Sequence, residues 1–347
     1  MEADTTTSIS SMPRVIFGTS SLGNLFVCLS NEIKLEIVSE CFKHSKGPVV
    51  FDTAGKYGAG LALESLGKCL KQLNILPEKV IISNKLGWIR TELKTPEPLF
   101  EPGVWRNLKY DAVQKISYDG ILECFYQGNK LLDGYIPSMV SVHDPDEYMA
   151  RAVSPEDSQK HYADILDAYR ALEKLKKEKK VASIGVGAKT WNIIERISGD
   201  VKLDWVMIAN SMTIKNHPAP LLQLMKKLES QGIKIINSAI FHSGFLTGGS
   251  YFDYKLILPD TVLNKTIYSW RDYFFKICRN HGVKPAEACV QFALLAPGVK
   301  SIALSTTNPE RVKENLNLAD KKIDKEFWKD LIREGLVDRE FFESEAL

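Results

Sequence analysis

Short apolar runs recur along this chain: Val15–Phe17, Val49–Phe51, Val80–Ser83, Met139–Val142, Ser183–Val186, Trp205–Ala209, Lys234–Asn237 and Ser301–Leu304. They have the length of buried strands. Between them, Leu35–Lys43, Ala62–Leu73, Tyr118–Leu132, Asp164–Lys177, Leu221–Ser230, Ile267–Asn280 and Pro285–Leu295 carry apolar residues at helical spacing. Strand alternating with helix predicts parallel pairing through right-handed crossovers. With eight such runs, a closed (β/α)8 TIM barrel leaves no strand edge unpaired. The alternative is a doubly wound sheet, but the glycine-rich turn that holds a dinucleotide there is incomplete. Gly18-Thr19-Ser20-Ser21-Leu22-Gly23 lacks the middle glycine. Two stretches, Trp88–Tyr118 and Phe241–Thr266, exceed ordinary connections and are expected to be loops that cover a substrate.

Polar or small residues follow nearly every run: Gly18-Thr19, Asp52, Lys85, His143, Gly187, Asn210, Ser238 and Ser305-Thr306. A barrel carries its chemistry at that rim. Asp52, Tyr57, Lys85 and His143 bring a carboxylate, a phenol, an ammonium and an imidazole to successive strand ends, which are the parts for proton transfer. Singly, each has a plainer reading: Asp52 as a turn former, Tyr57 as a packing aromatic, Lys85 as a surface cation. Four together at one predicted rim outweigh those readings.

Composition narrows the field. Of 347 residues, 44% are hydrophobic and 25% charged, with a net charge of +2. That is ordinary globular composition without a basic field, so neither nucleic acid nor an anionic membrane is an expected partner. A small neutral ligand fits better, and the oligomeric state stays open. Six scattered cysteines without a CxxC pair read as reduced core thiols. Six histidines without ligand spacing suggest no metal. Residues 1–12 read as a frayed tail with neither signal nor transit character, and 13–347 as one barrel domain of a cytoplasmic protein. The charged run Glu173–Lys180 reads as a solvated helix face.

The motifs Phe51-Asp52-Thr53-Ala54-Gly55-Lys56-Tyr57-Gly58, Ser83-Asn84-Lys85 and Val142-His143-Asp144 resemble those of the aldo-keto reductase superfamily, and the likeness runs from Arg14 to about Asn317. Tyr118-Asp119-Gly120 and His143-Asp144-Pro145-Asp146 look most like the branch of D-threo-aldose 1-dehydrogenases that act on fucose-type and galactose-type sugars. The resemblance implies an NAD(P)-dependent oxidoreductase that oxidises an aldose at C1 to the lactone, or reduces a related carbonyl. It implies Tyr57 as acid or base, Lys85 and Asp52 tuning it, and His143 orienting the substrate oxygen. A tyrosine of ordinary pKa ~10 needs about 4 kcal/mol to ionise near neutrality. A cation at ~4 Å and an effective dielectric of ~20 contributes about that much, so Lys85 is expected to lower Tyr57.

The likeness further implies cofactor contacts at Gly18, Thr19, Asn210, Ser238 and Ala239, and along an adenosine-side segment at Ser305, Thr306, Arg311, Glu314 and Asn315, where Asn308 and Pro309 start a helix. Gly187-Ala188 stands where many members have Ser-Asn. Ser305 occupies a position where relatives preferring NADP often carry lysine, so NAD is favoured, with Arg311 leaving dual use open. Trp88 and Trp105 are candidates for stacking on a sugar ring, with Asp144 near its hydroxyls. Three alternatives remain at this stage: a general NADPH-dependent aldehyde or ketone reductase, a Schiff-base aldolase on Lys85, and a non-catalytic cofactor-binding regulatory protein of the same fold.

Overall fold

A computed structural model describes residues 12–342, and the expected tail lies, but for Met12, outside them. All eight apolar runs are strands: β1 (Val15–Gly18), β2 (Val49–Ala54), β3 (Val80–Leu86), β4 (Met139–His143), β5 (Ser183–Ala188), β6 (Trp205–Ala209), β7 (Lys234–Ser238) and β8 (Val299–Leu304). They close into a barrel in sequence order, every pair parallel, with β8 returning to β1 through Val15–Ile302, Ile16–Ala303 and Phe17–Leu304. Nearly continuous burial along each strand explains why the runs lack alternation: helices cover the outside while side chains fill the inside. Ile16, Val50, Met139, Trp205, Met207 and Ile236, all from strands, form a buried cluster of their own. Trp205 fits because its partner across the ladder is Gly185, where a Cβ would stand 2.3 Å from the indole.

The helices follow local signals. Pro155–Lys177 starts nine residues before the expected Asp164, because Ser154 caps it by accepting from the Asp157 N–H and Pro155 occupies its first position. The charged opening of that helix hides the apolar period. Trp191–Asp200 and Lys325–Arg333 were not expected at all. Each is one short amphipathic element of 9 to 10 residues. Among the described residues no helix is long and apolar enough to cross a membrane. Five cysteines are buried, but Cys28 is exposed, contrary to its reading as a core thiol.

Neither long insertion is a plain loop. The first contains an antiparallel hairpin, Trp88–Glu92 with Tyr110–Gln114, springing from the end of β3. Its tip docks on the segment after β1 through Phe26 N–H to the Val104 carbonyl (2.9 Å) and Arg106 N–H to the Asn24 carbonyl (3.0 Å). The second holds the small hairpin Tyr251–Phe252 and Lys255–Leu256. Asp253 and Tyr254 make its two-residue turn with φ of 47° and 69°, the handedness that suits a twisted hairpin. Phe26 stacks on Tyr251, ring centroids 4.1 Å apart, so the segment after β1, on which the first insertion docks, also meets the second.

Candidate active site

A cavity of about 740 Å³ opens at the C-terminal rim, the end where βα loops converge. Asp52, Lys85 and His143 reach it from β2, β3 and β4, and Tyr57 from the turn after β2, where its N–H bonds the Ala54 carbonyl at 3.1 Å. Lys85 donates to Asp52 Oδ2 at 2.5 Å, both side chains being buried. The Lys85 ammonium stands 4.8 Å from the centre of the Tyr57 ring. The Tyr57 and His143 rings meet edge-on at 5.6 Å. Gly187 leaves room for this arrangement, since a Cβ there would lie 3.1 Å from Lys85 Cδ. The four groups expected at one rim do come together.

Their electrostatics differ from expectation at one point. Burial, reinforced by the carboxylates of Asp52 and Asp144 and by the Tyr254 hydroxyl, pushes the Tyr57 phenol well above its usual value. The expectation that Lys85 lowers it counted one cation and omitted the anions: Lys85 is already committed to Asp52, and the pair offers Tyr57 little net charge. Tyr57 therefore stands as a proton donor. Burial also pulls the His143 imidazole well below its usual value, against the opposing influence of Asp144, so it is neutral. Burial pushes the Asp52 carboxyl up while Lys85 pulls it down. The Tyr57 hydroxyl and His143 Nε2 have no hydrogen bond from described residues, and both side chains line the cavity.

The expected cofactor residues divide. Gly18, Ser238, Ala239, Ser305, Thr306, Arg311, Glu314 and Asn315 line the cavity. Thr19 does not; it is 1% exposed, and its hydroxyl donates to the Asp52 carbonyl at 3.0 Å, which fixes the β1 rim to β2. Asn210 is likewise off the wall, its N–H donating to the Ser238 carbonyl. Asn308 caps the helix Glu310–Leu318, its Oδ1 accepting from the Glu310 N–H at 3.0 Å, and the Thr306 hydroxyl accepts from the Asn308 N–H at 3.1 Å. Arg311 makes no ion pair among the described residues. Lys284 and Ala286 bring the start of the helix Pro285–Leu295 to the same wall.

The substrate candidates divide too. Trp105 lines the cavity 5.8 Å from the Tyr57 ring. Its indole N–H donates to Glu101 Oε2 at 2.7 Å. Trp88 does not reach the cavity: it begins the first hairpin, paired with Gln114, and packs on Phe100. Asp144 does line the wall, held well below the usual carboxylate range by the ammoniums of Lys56 and Lys189 against its burial. Sequence reading passed over Lys56, Lys189, Glu101 and Tyr254, which line the same end. Lys56 carried a signal, an ammonium next to Tyr57 inside an otherwise buried turn. Lys189 directly follows β5, where the rim rule was stopped one step early at Gly187-Ala188. Glu101 and Tyr254 sit in the insertions and gave no periodic signal.

The chain is similar to known proteins over nearly its whole length. A model of the Aldo/keto reductase family matches residues 14–333. The chain is 26% identical over 334 residues, 92% of it and 93% of the relative, to a pyridoxal 4-dehydrogenase of Microbacterium luteolum. It is 24% identical over 340 residues, 94% of it and 95% of the relative, to a D-threo-aldose 1-dehydrogenase of a Pseudomonas species. Among solved structures, an aldo-keto reductase of Bacillus halodurans in its holo form aligns with a TM-score of 0.65 at 17% identity, covering 94% of this chain and 92% of that one. The last likeness bears on the fold alone.

Proposed function

The chain belongs to the aldo/keto reductase family and is an oxidoreductase; from that premise we propose that it uses a nicotinamide dinucleotide to oxidise an aldose at C1 to the lactone. The observation that carries this reading is the convergence of Tyr57, His143 and the Lys85–Asp52 pair on one cavity that also extends to Arg311 and Asn315. The donor set fits a dinucleotide. Gly18, Ser238 and Ala239 would flank its nicotinamide half, the helix start at Lys284 and Ala286 suits phosphate, and Ser305, Thr306, Arg311, Glu314 and Asn315 would hold its adenosine half. When bound, the nicotinamide supplies the hydride acceptor or donor.

The chain's own residues handle the proton. His143, neutral in its buried setting, donates to the substrate oxygen and orients it. Tyr57 shares that oxygen and exchanges the proton, giving it up in reduction and taking it up, once ionised, in oxidation. Lys85, fixed by Asp52, holds its ammonium 4.8 Å from the centre of the Tyr57 ring and positions the phenol. Trp105 offers an aromatic wall and Asp144 a hydroxyl acceptor for the sugar. A Schiff base on Lys85 is disfavoured because a buried ammonium bonded to a carboxylate is a poor nucleophile.

NAD is the favoured cofactor because Ser305 carries no charge, and the unpaired Arg311 leaves room for NADP. A specific observation favours a second reading, reduction of an aldehyde or ketone with NADPH: the Tyr57 phenol is held protonated, the state reduction requires. The test is NADH and NADPH formation at alkaline pH over fucose, arabinose, galactose and pyridoxal, with the reverse assay on simple aldehydes, each compared with Tyr57→Phe. Lactone formation from a sugar supports the first reading. Activity confined to aldehyde reduction supports the second. Tight cofactor binding with no turnover anywhere would leave a regulatory protein.

A further inference from the structure

Beyond the Tyr57–His143 pair the cavity wall is built of buried charge. Lys56 is 3% exposed, and its ammonium meets three carboxylates, Glu147 at 2.7 Å, Glu101 at 2.9 Å and Asp144 Oδ2 at 3.1 Å. An ammonium has three hydrogens, so Lys56 has none to spare for a ligand. Lys189 pairs with Glu147, stands 3.5 Å from the same Asp144 Oδ2, and lies over the Tyr254 ring at 5.1 Å. His143 Nε2 is a further 3.6 Å from that oxygen, too far for a hydrogen bond. Everything in the cluster converges on Oδ2. Its twin, Asp144 Oδ1, accepts no hydrogen bond from any described residue, although Asp144 is 5% exposed and lines the cavity.

Asp144 is also held in the left-handed region, φ 48° and ψ 54°, directly after β4. Such backbone persists for a non-glycine residue where the surroundings over-determine it, as the two ammoniums do here. A carboxylate oxygen with free lone pairs on a cavity wall takes its donor from whatever fills the cavity, and a ligand hydroxyl can replace water there. The ligand's own charge is constrained: Glu101, Asp144 and Glu147 outnumber Lys56 and Lys189, so the wall repels a second anion. The ligand's geometry is constrained as well. His143 Nε2 lies 3.6 Å from Asp144 Oδ2, so an oxygen bound at His143 has the Asp144 carboxylate beside it, within reach of a hydroxyl on the neighbouring carbon.

We propose that Asp144, clamped by Lys56 and Lys189, determines specificity by accepting a hydrogen bond from a hydroxyl on the carbon next to the reacting one. The enzyme thereby selects uncharged α-hydroxy carbonyls and their cyclic lactols over deoxy and anionic counterparts. Lys56 is a positioning residue that holds the acceptor still. The proposal rests on the hydride-transfer reading above, since it takes the reacting oxygen to lie at His143.

The test compares kcat/KM, at saturating nicotinamide cofactor, for the best aldose of the panel, its 2-deoxy analogue and its uronic acid. The wild type should prefer the aldose at least tenfold over each. Asp144→Ala should bring the aldose to 2-deoxy ratio close to one, and Asp144→Asn, which keeps an acceptor without the charge, should lie between. Lys56→Met should lower the ratio several-fold through a higher KM for the aldose with kcat little changed, and Lys56→Arg should recover part of it. Cofactor binding, followed by nicotinamide fluorescence, reports that each variant is folded; if the Lys56 variants do not fold, the Asp144 series decides alone. A wild-type ratio near one, or a ratio that Asp144→Ala leaves intact, overturns the proposal while Tyr57-dependent turnover keeps the hydride-transfer reading. No turnover of any carbonyl or carbinol with cofactor bound overturns both.

Discussion

The two ends of the cavity are built on opposite principles. At the reacting end the chain satisfies its own charges: Lys85 with Asp52, Lys56 and Lys189 with Asp144, Glu101 and Glu147. At the far end, between β8 and the helix Glu310–Leu318, Arg311 pairs with nothing described, and Ser305 makes only long contacts of 3.3 Å to Ser20 and Ser21. One end is preorganised, its dipoles fixed before a ligand arrives. The other holds donors in reserve and gains its partners on binding. Chemistry and affinity should then separate under mutation.

The largest effect is expected from Tyr57→Phe. It should lower kcat by about 10²–10⁴-fold in whichever direction is assayed, the usual worth of one acid–base group, with cofactor affinity unchanged. A tenfold weaker cofactor in that variant would show that the ends are not independent. The same residue sets a pH dependence. Because the folded phenol is held above its usual value, its neutral form is stable past pH ~10, where the unfolded tyrosine ionises. Its contribution to stability is present below that pH and is lost as pH rises through the folded value. Oxidation, which needs the ionised phenol, should accelerate with pH up to about 10 without a plateau, whereas reduction should not. Asp144 has the opposite sign: its depressed carboxyl contributes above pH ~4 and loses that contribution only as pH falls below it.

Next in size is Lys85→Met. Removing the ammonium leaves Asp52 buried without a counter-charge, a change that costs about 3–5 kcal/mol of stability. Chemical denaturation measures it. Adding Asp52→Asn to Lys85→Met should restore part of the loss, because the stranded charge is gone, yet kcat should stay low. Recovery of both together would mean that the pair is structural and Tyr57 works without it.

The same division explains what could be read from the sequence. Asp52, Lys85 and His143 were legible because a barrel strand ends at a buried rim, and a polar residue there breaks an apolar run. Tyr57 was legible through the motif that follows β2. Lys56 and Lys189 stand beside those positions, but their meaning depends on carboxylates 42 to 91 residues away, which no local pattern reveals. Trp88 was misread for a related reason: a hairpin inside a long insertion carries few residues, and its strand period is too short to detect. The lowering expected for Tyr57 failed because desolvation and anions from distant segments outweighed the one cation that spacing suggested.

At the binding end the effects should be smaller and confined to affinity. Arg311→Ala should raise the KM for NADP about tenfold, the worth of one charge-assisted contact, and change that for NAD less. Equal losses for both cofactors would assign Arg311 to the adenine or ribose instead of a 2′-phosphate, and would strengthen the preference for NAD. No loss for either would remove Arg311 from the cofactor contacts.

The smallest expected effect concerns the contact that spans both ends. Phe26 and Tyr251 stack at 4.1 Å, one from the segment after β1 and one from the hairpin after β7. That hairpin's turn carries Tyr254 to the reacting end, and the segment leading into it lines the binding end with Ser243, Gly244 and Thr247. An aromatic pair of this kind contributes about 0.5–1.5 kcal/mol beyond area burial. Tyr251→Ala should therefore raise the KM of substrate and cofactor together, each by a few-fold, with kcat nearly constant. Phe26→Ala should do the same, and the double variant should be no worse than either single one, because both remove the same contact. Additive losses would mean that the rings act separately and the hairpin after β7 is not joined to the segment after β1. A loss in substrate KM alone would mean that the hairpin serves the reacting end only, and the separation between the ends would extend to the strap that crosses them.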